Sequence, residues 1–193
     1  MQKLILVFIV FIVLIIGLIY MYKKSTSTTS KQATTPSTTK PQYVWGTVPE
    51  KPTWTAFWTN DPTKSIDLGE SESNALFAKT GIVKRVCTNC TSTHTEIYYK
   101  RVTPIPTNWS MYKTFINTWS DTNNTSADFK LYGSLADLKD NKNAWTKLSF
   151  NDPGIGFPRD SGPSAFVGNQ WTSIASPAKA NSRIATYYVL DAP

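Results

Sequence analysis

The chain has 193 residues and a formal net charge of +7, and 13% of its residues are aromatic. Five lysines before residue 43 supply most of this charge, because the 15 cations and 13 anions that follow leave the remainder at only +2. A nearly neutral remainder does not attract a polyanion strongly, so we do not expect nucleic acid as a partner.

The chain begins with an uncharged apolar run, Leu4–Met21. Its 18 residues would span about 27 Å as a helix, close to the ~30 Å hydrocarbon core of a bilayer. The alternative is a cleavable signal peptide, which has a shorter apolar core and a small-residue cleavage site. We therefore predict a transmembrane anchor over residues 1–22. Its expected lipid and interface contacts are Leu4, Phe8, Phe11, Leu14, Leu18, Tyr20 and Tyr22.

Lys23 and Lys24 follow the apolar run and are expected to contact lipid headgroups. Cations on this side slightly outnumber Lys3 and the α-amine on the other, which favours a cytosolic location for the bulk of the chain. Residues 23–42 are rich in Ser, Thr, Lys and Pro and almost devoid of large apolar side chains, so we predict a flexible linker. An O-glycosylated stalk is the alternative, and it would require the opposite orientation.

Residues 43–193 contain short apolar runs separated by Pro, Gly, Asn and Asp, which predicts a mainly β domain. The predicted strands are Thr53–Thr59, Ala75–Ala78 with Ile82–Val86, Glu96–Val102, Met111–Trp119, Asp128–Tyr132, Trp145–Phe150 and Arg183–Leu190. This spacing is typical of an antiparallel β-sandwich, such as a jelly-roll-like fold. One helix is predicted within Ser134–Trp145, where Ser134 suits the N-cap.

Cys87 and Cys90 form the chain's single C-x-x-C pair. This spacing fits a redox motif, half of a zinc site or a small structural disulfide. A thioredoxin-type site needs the first cysteine at a helix N-terminus, but here a strand leads to Cys87 and a Thr-rich loop follows, which argues against such a site. Zinc needs four ligands, and His94 is the only histidine, so we expect no metal and treat the disulfide as one alternative beside a reduced pair.

Any Ser-His-Asp or Cys-His catalytic arrangement would have to use His94, which lies in a polar stretch that we expect to form an exposed loop. We therefore expect no catalytic residues, no cofactor, no small-molecule substrate and no enzymatic activity. The stretch 151–163 is unusual because it holds three Gly and three Pro. It fits an anion site formed by glycine amides and Arg159, or a cation site at Asp152 and Asp160. We favour a structural loop that Phe157 holds to the sheet, with Arg159 paired to an aspartate, or a loop that contacts a partner through Asp152, Phe157, Arg159 and Asp160.

Six tryptophans could serve a carbohydrate-binding surface, although strand alternation predicts that about half of them face the core. They are Trp54, Trp58, Trp109, Trp119, Trp145 and Trp171. N-glycosylation sequons begin at Asn89, Asn108, Asn123 and Asn124, and they matter only in a lumenal or extracellular domain.

Two stretches, Glu96–Pro106 and Asp128–Tyr132 continued through Lys142–Trp145 to Asn151–Asp160, resemble a small domain of large icosahedral double-stranded DNA viruses, notably the chlorovirus and mimivirus-like groups. The resemblance covers about half of the domain. It implies a minor capsid protein of the virion, with a single pass through the internal viral membrane and the β domain between membrane and shell. Lipid and other capsid proteins would then be its partners. The rivals are a surface-exposed lectin-like attachment glycoprotein and a membrane-tethered hydrolase.

Overall fold

The computed structural model describes residues 47–119, 128–149, 154–175 and 183–192. All of them belong to the unit Pro41–Pro193. In chain order the elements are β1 (Trp54–Thr59), α1 (Gly69–Thr80), β2 (Ile82–Cys87), a 3-10 turn (Ser92–His94), β3 (Glu96–Arg101), α2 (Met111–Ile116), β4 (Phe129–Tyr132), α3 (Leu135–Asp140) and β5 (Ala185–Leu190).

The predicted membrane anchor and linker lie outside the described residues, together with the expected headgroup contacts Lys23 and Lys24 and the loop residue Asp152. Within the described ranges, no helix combines the length and apolar character that crossing a bilayer requires.

The five strands of the described residues form one antiparallel sheet in the order β1-β5-β2-β3-β4. The C-terminal strand β5 lies between β1 and β2, so the last part of the chain completes the middle of the sheet. Alternation along β2 directs Val83, Arg85 and Cys87 to one face and Ile82 and Lys84 to the other.

The prediction of a mainly antiparallel β domain is confirmed. The jelly-roll-like sandwich is not confirmed, because the described strands build one sheet rather than two. The face that carries Val83 packs against α1, α2 and the segment 154–175 through Phe77, Phe115 and Phe157. The opposite face is partly covered by α3 through Leu138. Helices and a long loop therefore bury the apolar faces of the sheet.

The core under α2 is an aromatic cluster. Phe115, Trp119 and Phe157 lie with ring centroids 4.6–5.2 Å apart, and each is essentially fully buried. Tyr99 of β3 and Tyr187 of β5 contact the same cluster from the sheet. Each ring adds a large buried apolar area, and tilted or edge-to-face pairs are worth about 0.5–1.5 kcal/mol beyond that area. This cluster fixes the position of the segment 154–175 against the sheet.

The strand predicted over Met111–Trp119 is wrong, because α2 occupies its first six residues. Met111, Phe115 and Ile116 recur at helical spacing, and all three are buried. The Ser110 hydroxyl oxygen accepts a hydrogen bond from the Lys113 backbone N–H at 3.2 Å, which caps the helix. The high β propensity of the individual residues concealed this 3.6-residue period.

The short strand predicted over Ala75–Ala78 is also wrong, because it lies inside α1. The buried positions of α1 are Ser73, Phe77 and Thr80, so the inward face is largely polar and shows no hydrophobic stripe. Its end signals are clear nonetheless: two glutamates in the first turn, and Gly81 at φ 67°, where the left-handed conformation ends the helix.

The helix predicted within Ser134–Trp145 is confirmed over Leu135–Asp140. Ser134 caps it by accepting from the Asp137 backbone N–H at 3.1 Å. The strand predicted from Trp145 onward is wrong over the described residues, where Lys147 makes only an isolated bridge to Gly162. Trp145 is instead buried against the His94 ring, so its apolar character reflects a loop contact.

Candidate functional site

Cys87, Cys90 and His94, the residues that the sequence analysis considered for redox, metal or catalytic chemistry, lie in the turn Cys87–Thr95 between β2 and β3. This turn packs against the segment 154–175. We call this contact the turn–loop junction. The Thr91 backbone N–H donates to Gln170 Oε1 at 2.9 Å, and His94 Nε2 lies 2.9 Å from the Ser161 carbonyl oxygen. Gln170, His94 and Ser161 are all buried. The junction is therefore a largely buried, hydrogen-bonded contact between segments far apart in sequence.

A disulfide joins Cys87 and Cys90 across the start of this turn, with Cα atoms 5.5 Å apart. Cys87 ends β2 and is 1% exposed, whereas Cys90 is half-buried at the edge of the junction. The next two β2 residues inward on the same face are Arg85 and Val83, so the disulfide continues the core face of the strand. Both sulfurs are thus covalently paired in the structure.

Arg85 is a fully buried cation at the centre of the junction. Its Nη2 donates to the Gln170 carbonyl oxygen at 2.7 Å, and its Nε donates to the Tyr187 hydroxyl at 3.2 Å. Cys90 Sγ lies 3.7 Å from Nη1 and 3.6 Å from Nη2. Burial lowers the pKa of Arg85, Tyr187 partly opposes that shift, and the nearby charge of Arg183 adds to it. Among the described residues, Arg85 forms no ion pair with a carboxylate.

The expectation that His94 is exposed is wrong, because the side chain is fully buried. A carbonyl oxygen can only accept, so Nε2 carries the hydrogen, and Nδ1 faces the Thr93 hydroxyl at 2.8 Å. Burial lowers the pKa of His94, with smaller contributions from the charges of Arg85 and Arg183 and opposition from the bond to Ser161. The ring is therefore held neutral.

His94 does not reach the Ser161 hydroxyl, and the hydroxyl closest to its Nδ1 is that of the exposed Thr93. The ring contacts the backbone oxygen of Ser161, while the Ser161 hydroxyl oxygen accepts from the Ser149 backbone N–H at 2.9 Å. Nucleophilic catalysis needs the base within hydrogen-bonding reach of the attacking hydroxyl or thiol. Across the described ranges, no three His, Cys, Asp or Glu side chains converge to hold a metal ion.

The four residues predicted as a partner-contact loop have different locations. Phe157 is fully buried and anchors the segment 154–175 in the aromatic core, so it offers no surface for a partner. Arg159 and Asp160 are half-buried and form an ion pair with each other. Asp152 lies outside the described residues. The ion pair neutralises Arg159, which disfavours the reading of this loop as an anion site.

The surface of the segment 154–175 carries two features that sequence reasoning missed. Phe166 is 62% exposed and Ile174 is 47% exposed, and they are the large apolar side chains that stand out from the described surface. The segment beneath them is firmly held, because the Phe157 N–H donates to the Phe115 carbonyl oxygen and the Ile174 N–H donates to that of Ile116. These bonds use carbonyl groups at the C-terminus of α2.

A cluster of lysines on the opposite face of the sheet was also missed by sequence reasoning. Lys84, Lys100 and Lys130 occupy three adjacent strands, and Lys100 is directly opposite Lys130. Lys84 Nζ lies 4.7 Å from the ring centroids of both Trp54 and Tyr188. Burial, followed by the charge of Lys130, lowers the pKa of Lys100. Strand register, which the sequence did not reveal, brings these cations together.

Comparisons of this chain with protein-family models, with curated proteins and with solved structures find no match. The function of the chain must therefore be inferred from its own residues and their geometry.

Proposed function

We propose that this chain is a structural, non-enzymatic minor capsid protein of a large icosahedral double-stranded DNA virus, linking the internal membrane to the capsid shell. One observation carries the proposal: an uncharged apolar run of membrane-spanning length, Leu4–Met21, precedes a polar linker and a compact β domain. The run would lie in the membrane, Lys23 and Lys24 at the headgroups, and residues 43–193 between membrane and shell.

The turn–loop junction supports a structural role. His94 is neutral and bonded to a backbone carbonyl group, Cys87 and Cys90 are paired, and Arg159 is neutralised by Asp160. These side chains use their bonding capacity on other groups of the protein, which makes the turn–loop junction rigid. A hydrolase instead needs a base directed at a nucleophile in a cleft. This arrangement favours the structural reading over the membrane-tethered hydrolase.

The segment 154–175 supplies a suitable contact surface for a shell protein. Phe166 and Ile174 are exposed on a segment that Phe157 and the His94–Ser161 bond hold in place. Exposed apolar side chains on a preorganised segment suit protein association, because little conformational entropy is lost when they are buried. The jelly-roll-like sandwich is not required for this role, since one sheet with helices and a long segment packed against it forms a rigid platform.

The alternative is a surface-exposed lectin-like attachment glycoprotein. Sugar binding by stacking needs open aromatic faces, but Trp58, Trp119, Trp145 and Trp171 are buried. Trp54 and Trp109 are half-buried, and cations of Lys84 and Arg101 lie over their rings. The tryptophans thus favour the capsid proposal. One observation supports the alternative: the sequon asparagine Asn108 is exposed and could therefore carry a glycan.

Membrane anchoring is tested by flotation with liposomes. The full chain should float with the vesicles after alkaline washing, and a variant that lacks Leu4–Met21 should stay at the bottom of the gradient. N-terminal sequencing of the particle-associated protein provides the check against a signal peptide. A mature protein that begins downstream of Tyr22 would contradict the anchor.

Location in the particle is tested by protease treatment of intact virions, with detergent-opened virions as the control. The capsid proposal expects the β domain to be protected until the particle is opened. The attachment alternative expects digestion of intact particles and a glycan at Asn108 that the Asn108→Gln variant lacks. Shell contact is tested by particle incorporation of Phe166→Asp, which should fall, against the exposed helix variant Ala75→Asp, which should incorporate normally.

A further inference from the structure

The buried guanidinium of Arg85 lacks a carboxylate partner among the described residues. An isolated charge in a dry interior is costly, so groups that touch it are candidates to supply the opposite charge. Three kinds of group touch it: the Gln170 carbonyl oxygen, the Tyr187 hydroxyl and Cys90 Sγ. Of these, a cysteine sulfur ionises most readily, with an ordinary thiol pKa of about 8.5 against about 10 for a phenol.

A second cation borders the same turn from outside. Arg183 donates from Nη1 to the Asn89 carbonyl oxygen and from Nε to that of Asn169, the latter at 2.8 Å. Its charge lowers the pKa of both Arg85 and His94, so its field reaches the inner side of the turn. Cys90 is half-buried, its Sγ lies 3.6–3.7 Å from the Arg85 guanidinium, and Arg183 bonds the carbonyl oxygen of the preceding residue, Asn89. A partly exposed sulfur in an electropositive setting is the environment of reactive cysteines.

We propose that Cys87–Cys90 is a redox-active disulfide that exchanges with a dithiol reductant, and that Arg85 stabilises the Cys90 thiolate released by the exchange. Sequence reasoning argued against a redox role because no helix is predicted to begin at Cys87. Arg85 supplies, from the strand itself, the positive charge that a helix N-terminus supplies elsewhere. The proposed exchange is separate from the structural role and does not depend on it.

The exchange follows from the accessibility of the two sulfurs. One thiolate of the dithiol attacks the half-buried Cys90 Sγ, the disulfide breaks, and Cys87 leaves as a thiolate that takes a proton. The Cys87 thiol then has an acceptor in Asn89 Oδ1, 3.7 Å away. The second thiolate of the reductant attacks its own sulfur in the mixed disulfide and expels Cys90 as a thiolate. Two electrons pass to the protein, and the reductant becomes a disulfide.

The central test measures the reactivity of Cys90 in the full chain, in detergent micelles and after reduction. The rate of alkylation by iodoacetamide is followed against pH by peptide mass spectrometry. We expect half-maximal reactivity well below pH 8.5, and a rate at pH 7 about tenfold above that of the same chain in guanidinium chloride, which corresponds to one pKa unit. Equal rates in the folded and unfolded chain would overturn the proposal.

Two variants assign the effect to Arg85. Arg85→Met should remove most of the rate enhancement and make the disulfide harder to reduce in dithiothreitol redox buffers, whereas Arg85→Lys should retain part of both properties. Circular dichroism checks that each variant folds. If Arg85→Met does not fold, Arg183→Gln, at the exposed side of the turn, should still lower the rate. Unchanged reactivity in every folded variant would reject Arg85 as the stabilising cation.

Discussion

His94 Nε2 bonds the Ser161 carbonyl oxygen at 2.9 Å and thereby joins two segments that are 67 residues apart. Burial is the main cause that lowers the pKa of His94 in the folded protein. Below the unfolded pKa of about 6.5, the unfolded chain binds a proton that the folded chain does not, so stability falls as the pH falls. We expect urea unfolding to give a smaller free energy at pH 5.5 than at pH 7.5, by no more than about 1.4 kcal/mol, because pH 5.5 lies one unit below the unfolded pKa.

The variant His94→Gln is the control for this pH dependence, because the chain has one histidine. It should be less stable than the natural chain at pH 7.5 but nearly independent of pH over the same interval. The carboxyl groups with lowered pKa values, such as Asp61 at about 2, lose their contribution only below their unfolded values near 4. A fall of equal size in both proteins would contradict the assignment to His94.

Gly156 lies where the segment 154–175 crosses the end of α2, and backbone atoms leave no space there for a side chain. A Cβ at this position would lie 1.8 Å from the Thr172 carbonyl oxygen and 3.0 Å from that of Phe115, and both are backbone atoms. Gly156→Ala should therefore displace the segment and destabilise the protein by about 3 kcal/mol or more, measured by chemical unfolding. Gly133→Ala is the matched control, because its nearest neighbour would be Trp145 Nε1 at 3.6 Å. Similar losses in the two variants would refute the argument.

The elements predicted well from sequence are those whose residue pattern lies within the element itself. Alternating β-branched and aromatic residues located β2, β3 and β5, and the Ser134 cap located α3. Helix α2 was missed because Met111–Ile116 contains residues with strand propensity, although their period is helical. Helix α1 was missed because two of its three buried residues, Ser73 and Thr80, are polar, so its sequence lacks a clear hydrophobic periodicity.

The candidate site was less predictable because it depends on tertiary contacts. The sequence did not single out Arg85, which shares a strand face with Val83 and Cys87 and is buried beneath Gln170. Its burial could be inferred only from the position of the segment 154–175, which the aromatic core fixes. The alternative in which Phe157 holds a structural loop to the sheet and Arg159 pairs with an aspartate agrees with the structure, whereas a partner contact through Phe157 does not.

Phe157 and Phe166 lie in the same segment, but we expect their substitution by alanine to affect the free energy of unfolding very differently. Phe157→Ala removes a fully buried ring from the aromatic core and should cost about 3–5 kcal/mol. Phe166→Ala changes a ring that is 62% exposed and should alter the free energy of unfolding by less than about 0.5 kcal/mol. Urea denaturation of both variants measures the contrast. A large loss in Phe166→Ala would show that its ring packs against the domain and is not a docking surface.

Lys100 faces Lys130 directly across β3 and β4, and like charges at such positions repel. Lys100→Glu should convert the repulsion to an attraction and stabilise the domain by about 0.2–1 kcal/mol, as measured by chemical unfolding. Lys100→Gln removes only the repulsion, so its stability should lie between those of the natural chain and Lys100→Glu. The differences should shrink at high salt, because Lys100 and Lys130 are only half-buried and salt partly screens their charges. If both variants are less stable than the natural chain, the lysine side chain contributes more by packing than it costs by repulsion.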